Sequence, residues 1–462
     1  MEEILLQLAG PDHRHRSKQL SSQVLQNLYA EQSPDPNQPA VILSFPGRKL
    51  FSSGSGVCRG THDMAESLYQ VSGTTLEKVN SMGTRTTCGT IPGSGRCIFA
   101  DDGTNLYLVT NNNIYKYDGS SVSTVSQSVV TNPKAIDYIN RKFIISGDNG
   151  LFATSNVNDG DTYNALNFAE AEVSPDELLR PKSYNQVVYM VGKKTTEIWY
   201  DSGQGNPPVA RQDSTLVNTG CAARYSIANS DRYLYWLGDD NLVYQVRGSA
   251  ARSISSVALH SEISAMSVVS DAYGYTATIE GHQFYFLIFP SGNKSYFYDE
   301  DLGYWGVLSY GVDGDRCTDN SYQYIYRKHI VSDYRNGNLY ELDINAYDDN
   351  SDVIQRVRTS LPVEANGRDI IVRRMKLICE AGVGLATGQG VDPTVMMQVS
   401  HDKGRTWEAE QWRSLGVMGE YEREVEWFGL GRAESFTFRF KYTDPTAFNL
   451  YKAVLWVEYG RY

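Results

Sequence analysis

NLYLVTNNNIYKYDG, residues Asn105 to Gly119, decides the architecture. Leu106 to Val109 run without a polar break, Asn111 to Asn113 supply a turn, and Ile114 to Tyr117 resume an apolar-aromatic strand before Asp118-Gly119. Aromatic and branched residues suit a pleated surface, while Asn, Asp and Gly accept the left-handed backbone of a tight reversal, so the stretch spells a β-hairpin. The same unit recurs as SLYQVSGTTLEKV (Ser67–Val79), KFIISGDNGLFATS (Lys142–Ser155), VVYMVGKKTTEIWYDSG (Val187–Gly203), YLYWLGDDNLVYQV (Tyr233–Val246), FYFLIFPSGNKSYFYDE (Phe284–Glu300) and HIVSDYRNGNLYELD (His329–Asp343). Tyr69, Tyr107, Ile144, Tyr189, Leu234, Tyr285 and Ile330 are equivalent and stand 37 to 51 residues apart. A hairpin repeated at that period is the pattern of propeller blades, each unable to bury its faces alone. The repeat therefore predicts an all-β chain with a β-propeller over residues 51–350, of about seven blades, with six to eight possible. Its more hydrophobic strand is expected to be the inner strand of each blade, buried on both faces. A pair of β-sandwiches is the competing architecture, and even spacing favours radial repetition. No G-H…W-D pairing occurs in these units.

Beyond residue 350 the pattern changes. In SFTFRFKYTD, Phe436, Phe438 and Phe440 alternate with Thr437, Arg439 and Lys441, as a half-buried antiparallel strand requires. REVEWFGLG and YKAVLWVEYG read as further strands, and in IIVRRMKLIC the residues Ile371, Arg373, Met375, Leu377 and Cys379 are expected on one face. Residues 351–462 are thus read as a C-terminal β-sandwich or sheet domain. It contains one Asp-box, Ser400-x-Asp402-x-Gly404-x-Thr406-Trp407. Asp402 is expected to bond backbone N–H groups of its own turn, Gly404 to take a positive φ, Thr406 to bond back to the loop, and Trp407 to cover it. This is a structural hairpin, with no catalytic role assigned.

Residues 1–50 stand apart as an extended N-terminal arm expected to lie along another surface, with room for one short helix. Pro34, Pro36 and Pro39 favour extended chain there. His13-Arg14-His15-Arg16 reads as a charge cluster; the two histidines do not have the spacing to share a helix face and hold a metal. The opening MEEILLQLAGPDHRHR is acidic with a short apolar patch, unlike a secretory signal. No apolar run approaches the ~20 residues of a membrane helix, so a soluble protein without a membrane segment is expected.

Composition bounds function. The net charge of −12 argues against binding nucleic acid by phosphate neutralisation, though an acidic lumen would let DNA slide past. The 32 Tyr and 40 Gly fit many short strands joined by tight turns. Cys58, Cys88, Cys97, Cys221, Cys317 and Cys379 are scattered with no C-x-x-C, as expected of reduced thiols assembled in a cytoplasm. No G-x-S-x-G, H-E-x-x-H or P-loop occurs, and Ile91-Pro92-Gly93-Ser94-Gly95 precedes a strand rather than opening a helix. The acidic turns Asp101-Asp102-Gly103, Asp239-Asp240-Asn241 and Tyr298-Asp299-Glu300-Asp301 have oxygen ligands suited to Ca²⁺, but hairpin turns already call for Asp and Asn. No catalytic, cofactor or metal residues are assigned, and an enzyme is not expected.

Three stretches carry a resemblance. VMMQVSHDKGRTW (Val395–Trp407), EQWRSLGVMGEYEREVEWFGLGRA (Glu410–Ala433) and FRFKYTDP (Phe438–Pro445) resemble the packaged-DNA stabilisation family, the tail hub or nozzle proteins of short-tailed bacteriophages of the Salmonella-phage type. NLYAE (Asn27–Glu31), SFPGRKLF (Ser44–Phe51), VCRGTHDMAESLYQVSGTTLEKV (Val57–Val79) and TTEIWYDSG (Thr195–Gly203) are similar to the family's opening and mid-chain strands. Lys403 stands where the family usually has the first of two glycines. The resemblance implies a structural virion protein: a homo-oligomeric ring, expected as a hexamer, below the portal and its adaptor. Such a ring extends the DNA channel, retains packaged genome and mounts needle, fibre or tailspike proteins, in a virion tail assembled in the bacterial cytoplasm. DNA would pass without sequence-specific binding. A glycan-binding or sialidase-like, glycan-hydrolysing propeller is the alternative.

Overall fold

The computed structural model describes residues 2–15, 17, 21–33, 40–171, 176–213 and 215–460. Pro34, Pro36, Pro39 and Arg16 lie outside the described residues. The fold is all-β, a propeller followed by a C-terminal β-sandwich, and Val257–Ser264 is the one α-helix among the described residues.

Six four-stranded antiparallel sheets stand as separate blades. Their first strands are Cys58–Met64, Ile98–Asp101, Ala135–Ile139, Leu178–Tyr184, Ala228–Asn229 and Asp319–Ile325. A seventh four-stranded unit, Tyr273–Ile279 to Tyr304–Tyr310, takes its place in the ring but continues into an eleven-stranded sheet shared with the sandwich. The ring closes where Asp319–Ile325 packs against Cys58–Met64. The blade count thus falls within the range read from the repeat.

The strands identified by the repeat are the second strands of their blades, not the innermost. Tyr69, Tyr107, Ile144, Tyr189, Leu234, Tyr285 and Ile330 all sit there, and Leu106–Thr110, Lys142–Ser146 and Leu234–Leu237 are buried at every residue. A second strand is covered on both faces by neighbouring blades, hence its unbroken apolar run. The innermost strands line the channel and carry polar residues, as in CRGTHDM, LLRPKSY and DNSYQYI. In five blades a two-residue loop with both residues at positive φ joins innermost to second strand: Ala65-Glu66, Asn140-Arg141, Asn185-Gln186, Glu280-Gly281 and Tyr326-Arg327. That backbone matches the twist of paired strands.

The blade that begins at Asp319–Ile325 is completed by N-terminal chain. Gly47–Ser52 is the outer strand against Leu339–Asp343. Its Arg48 is buried and pairs with Asp319 at 2.8 Å and Asp349 at 3.6 Å, while Tyr275 Oη donates to Asp319 at 2.8 Å. An ion pair so placed is costly to break from one side, because the remaining charge has no water.

Of the remaining N-terminal strands, His13–Arg14 and Ser22–Gln23 pair with each other, and the others join the sandwich or its seam. Glu2–Leu6 pairs with Leu450–Tyr459 (Ile4 opposite Leu455), and Leu28–Gln32 and Ala40–Ser44 join the same seven-stranded sheet. Leu25–Gln26 lies between Tyr304–Tyr310 of the propeller and Arg356–Thr359 of the sandwich, so residues 25–26 stitch the two regions together. Asn27, at φ 53°, secures this seam: its amide donates to Ser309 O at 3.0 Å and Gln355 O at 2.8 Å, and accepts from Ser309 N at 2.9 Å. The described residues of 1–50 form strands and no helix.

Phe436, Phe438 and Phe440 all point into the sandwich core. In Ile370–Cys379 a bulge between Val372 and Arg374 shifts the alternation, so Ile370, Val372, Met375 and Leu377 are buried and Ile371 and Arg373 are not. The single face expected for Ile371, Arg373, Met375, Leu377 and Cys379 is therefore corrected: one extra residue moves the side chains before it to the other face.

Candidate functional site

The Asp-box forms a closed loop at the end of Thr394–Ser400. Four donors of that loop converge on the Asp402 carboxylate: Ser400 Oγ at 2.7 Å, Arg405 N at 2.9 Å, Thr406 N at 2.8 Å and Thr406 Oγ1 at 2.6 Å. Ser400 Oγ in turn accepts from Gly404 N at 2.8 Å. Burial alone would raise the Asp402 carboxyl, but hydrogen bonds from Thr406, Ser400 and Arg405 outweigh it and hold the group well below the usual carboxylate range.

Gly404 has φ +83°, and a Cβ there would meet Ser22 Oγ at 2.7 Å and Trp407 Cζ2 at 3.3 Å. Trp407 thus lies against the turn, and the Arg439 guanidinium stacks on its outer ring face at 3.7 Å. Lys403 also has a positive φ, +62°, the backbone a glycine adopts most easily, and its Nζ pairs with Glu364 at 2.5 Å. The hairpin is therefore pressed between the N-terminal segment and the sandwich.

The acidic turns are engaged by their own loops. Asp102 Oδ1 accepts from Thr104 N and Asn105 N, Asp240 Oδ1 from Leu242 N, and Asp299 Oδ1 from Asp301 N and Leu302 N. His282, Asp299 and Asp301 bring three potential ligand atoms within 4.8 Å of one another, with His282 Nδ1 3.0 Å from Asp299 Oδ2. At the N-terminal charge cluster the His13 and His15 rings stack at 5.9 Å, and Arg14 pairs with Asp12 and Glu262. The six thiols are unpaired, four of them buried.

Sequence reasoning missed the propeller channel. A polar cavity of ≈ 510 Å³ is lined by residues of the innermost strands and their approaches, among them His62, Arg96, Arg180, Lys182, Tyr225 and Asn320. A second cavity of ≈ 690 Å³ shares Arg96, Tyr225 and Asn320 with it, so these three stand at the common wall. Arg96 donates to Asn320 Oδ1 at 2.5 Å and lies 4.0 Å from the centre of the Tyr273 ring. The available signal was the charged run Arg180-Pro181-Lys182 directly before an apolar strand, where an ordinary buried blade strand would carry none.

The sandwich also exposes large apolar side chains. Trp412, Met418, Tyr421 and Phe428 belong to Glu410–Ala433 and are exposed, Tyr421 at 75 % and Phe428 at 63 %. Isolated exposed apolar residues are ordinary, but several large ones within one stretch mark a surface for contact.

Comparison with solved structures finds propellers of low similarity. The WD40 β-propeller domain of Doa1 is 12% identical, covering 64% of this chain and 97% of its own, at TM-score 0.43. YCF48 bound to D1 peptide is 11% identical, covering 65% and 98%, at TM-score 0.42, and the Neurospora crassa Pan2 WD40 domain is 9% identical, covering 68% and 98%, at 0.43. The architecture rests on the strand pairing and not on these. No curated protein matches the chain. Two family profiles do match, the bacteriophage P22 Gp10 β-propeller over residues 3–347 and the bacteriophage P22 Gp10 β-sandwich over residues 355–458. The second begins where the repeats stop, and the two together span propeller and sandwich in order: the chain belongs to the bacteriophage P22 Gp10 family, structural tail-hub proteins that stabilise packaged DNA.

Proposed function

We propose that this phage tail protein is one subunit of a ring, a hexamer, seated below the portal and its adaptor. The ring prolongs the DNA channel, holds the packaged genome in place, and carries needle, fibre or tailspike proteins. The observation that carries the reading is the run of exposed large apolar residues Trp412, Met418, Tyr421 and Phe428 within the stretch that marks the family. Large apolar side chains on a subunit surface become interface core when copies close around an axis. The net charge of −12 is compatible with DNA sliding past without sequence-specific contacts. Six unpaired thiols suit assembly in a bacterial cytoplasm before incorporation into the virion.

In this reading the Asp-box is a staple of the fold. Ser400, Asp402, Gly404, Thr406 and Trp407 hold the hairpin against the N-terminal segment, and the Asp402 carboxylate serves its own loop rather than a substrate.

Electron microscopy of the purified chain with its adaptor tests the ring. Six-fold rings or adaptor-bound complexes are expected, and Trp412→Ser with Phe428→Ser should abolish them without altering the melting curve. A chain that stays monomeric with the adaptor, and hydrolyses a host polysaccharide, overturns the proposal in favour of a glycan-acting propeller.

A further inference from the structure

The channel at the propeller axis is a charge anomaly in an acidic protein. Arg96, Arg180 and Lys182 all line its ≈ 510 Å³ cavity. Two other buried cations of the propeller are fully engaged, although Arg356 in the sandwich is buried with Nε and Nη1 unpaired. Arg59, at the neighbouring blade junction, donates to Gly95 O at 2.7 Å, Gly73 O at 3.0 Å, Ile91 O at 2.8 Å and Thr110 Oγ1 at 2.9 Å. Arg48 has two carboxylates.

Arg180 and Lys182 have neither arrangement. The Arg180 Nε is buried with no hydrogen-bond partner. Among the described residues neither side chain forms an ion pair with a carboxylate oxygen within 4.0 Å. The nearest source of negative charge acting on both is Asp137. Its oxygens are already engaged, one accepting from Tyr138 N at 2.8 Å and the other from Ser183 N at 2.6 Å. His62, on the same wall, is held by Asp101 at 2.7 Å, and Asp63 lines the cavity as an exposed side chain.

Burial pushes Arg96, Arg180 and Lys182 below their ordinary ranges, with Asp137 opposing the shift at Arg180 and Lys182. Arg96 and Arg180 also repel each other, as do Arg180 and Lys182. Three half-buried cations gathered around one cavity repel one another, with Asp137 already engaged by backbone N–H groups and Asp63 turned to solvent, unless something negative joins them.

We propose that the propeller channel is a binding site for a small oxyanion, phosphate-like or carboxylate, held by Arg180 and Lys182 with Arg96 at its inner wall. The Arg180 guanidinium presents a planar fork suited to two oxygens, and Lys182 adds a point charge beside it. Arg96 is fixed by Asn320 and Tyr273, so it contributes mainly its field. The site is independent of the ring reading, because every group comes from one chain.

Titration calorimetry of the full chain, at constant ionic strength set with chloride, tests this with inorganic phosphate and with acetate as separate probes. Saturable binding of at least one is expected; phosphate alone or acetate alone identifies the preferred oxyanion. Lys182→Met and Arg180→Gln should each weaken it at least tenfold, and Asp137→Asn should tighten it by removing the competing charge. In buffer without either anion, Lys182→Met should melt no lower than the parent chain. Absence of saturable binding by both probes, affinity unchanged in both cation variants, or a lower melting point of Lys182→Met in anion-free buffer would each overturn the proposal. The last outcome would mean that the ammonium already has a partner.

Discussion

The propeller and the sandwich are built from the same kind of strand but joined in opposite ways. In the six free-standing blades nearly every sheet neighbour is also a sequence neighbour; the one exception is Gly47–Ser52 at the closure. In the sandwich, Ile4 faces Leu455, Ile42 faces Leu450, and Gln26 reaches both Val307 and Val357. Local pairing leaves a period in the sequence, while non-local pairing must bring distant segments together at an entropic cost that only a shared core repays. The N-terminal chain supplies both exceptions, locking the ring and completing the sandwich. Damage there should propagate across the molecule, and damage in a blade hairpin should stay local.

The strongest test removes that chain. Shortening the protein to begin at residue 40 takes away Leu6, Leu8, Leu25, Leu28 and Tyr29, all buried. The lost burial is on the order of 10 kcal/mol, as large as the whole stability of a typical domain. Hydrogen exchange should then show the sandwich unprotected and the blades remote from the seam still protected; equal protection throughout would contradict the division drawn above.

Next is the ring closure. Arg48→Met leaves Asp319 and Asp349 facing each other in a buried site, which should cost ~3–5 kcal/mol in denaturant unfolding. Adding Asp319→Asn should restore part of it, and a double variant no better than the single one would show that the pair is not what matters.

A smaller, local effect is expected at the sandwich hairpin. Asp402→Ala removes the acceptor of four loop donors and should destabilise the sandwich by ~1–3 kcal/mol, with blade exchange rates unchanged.

The smallest effect is pH-dependent. His282 is raised above its ordinary value by its hydrogen bond to Asp299, against an opposing contribution from burial, and Glu31 and Asp301 add to the rise. The rings of Tyr29 and Phe284 pack against it. Because the folded state favours the protonated ring, its contribution is fully present below the unfolded value of about 6.5 and is lost as pH rises through the higher folded value. Melting curves across that window should fall more steeply for the parent chain than for His282→Gln.

How much was legible follows from the same contrast. The second strands announce themselves, because burial on both faces demands an unbroken apolar run such as LYLVT at Leu106–Thr110. The innermost strands do not: one face meets a polar channel, and reversals such as Ala65-Glu66 and Tyr326-Arg327 lack the Asn-Gly pair that flags a two-residue hairpin. That is why Arg96, Arg180 and Lys182 escaped a reading that found every blade. The hydrogen bonds of the Ser400–Thr406 loop all close within a few positions of Asp402, the range over which local sequence acts. The bulge in Ile370–Cys379 was not legible, because its pairing partner lies at the far end of the domain.

By itself the sequence determined the all-β class, the repeated hairpins and the family-marking stretch, for all of these depend on residues close together along the chain. Only the tertiary structure decided which strand faces the axis, that Glu2–Leu6, Leu25–Gln26 and Leu28–Gln32 belong to the sandwich and its seam, and that three cations share one channel. Each of those depends on contacts between segments far apart in the chain, and neither periodicity nor local turn chemistry records such a contact.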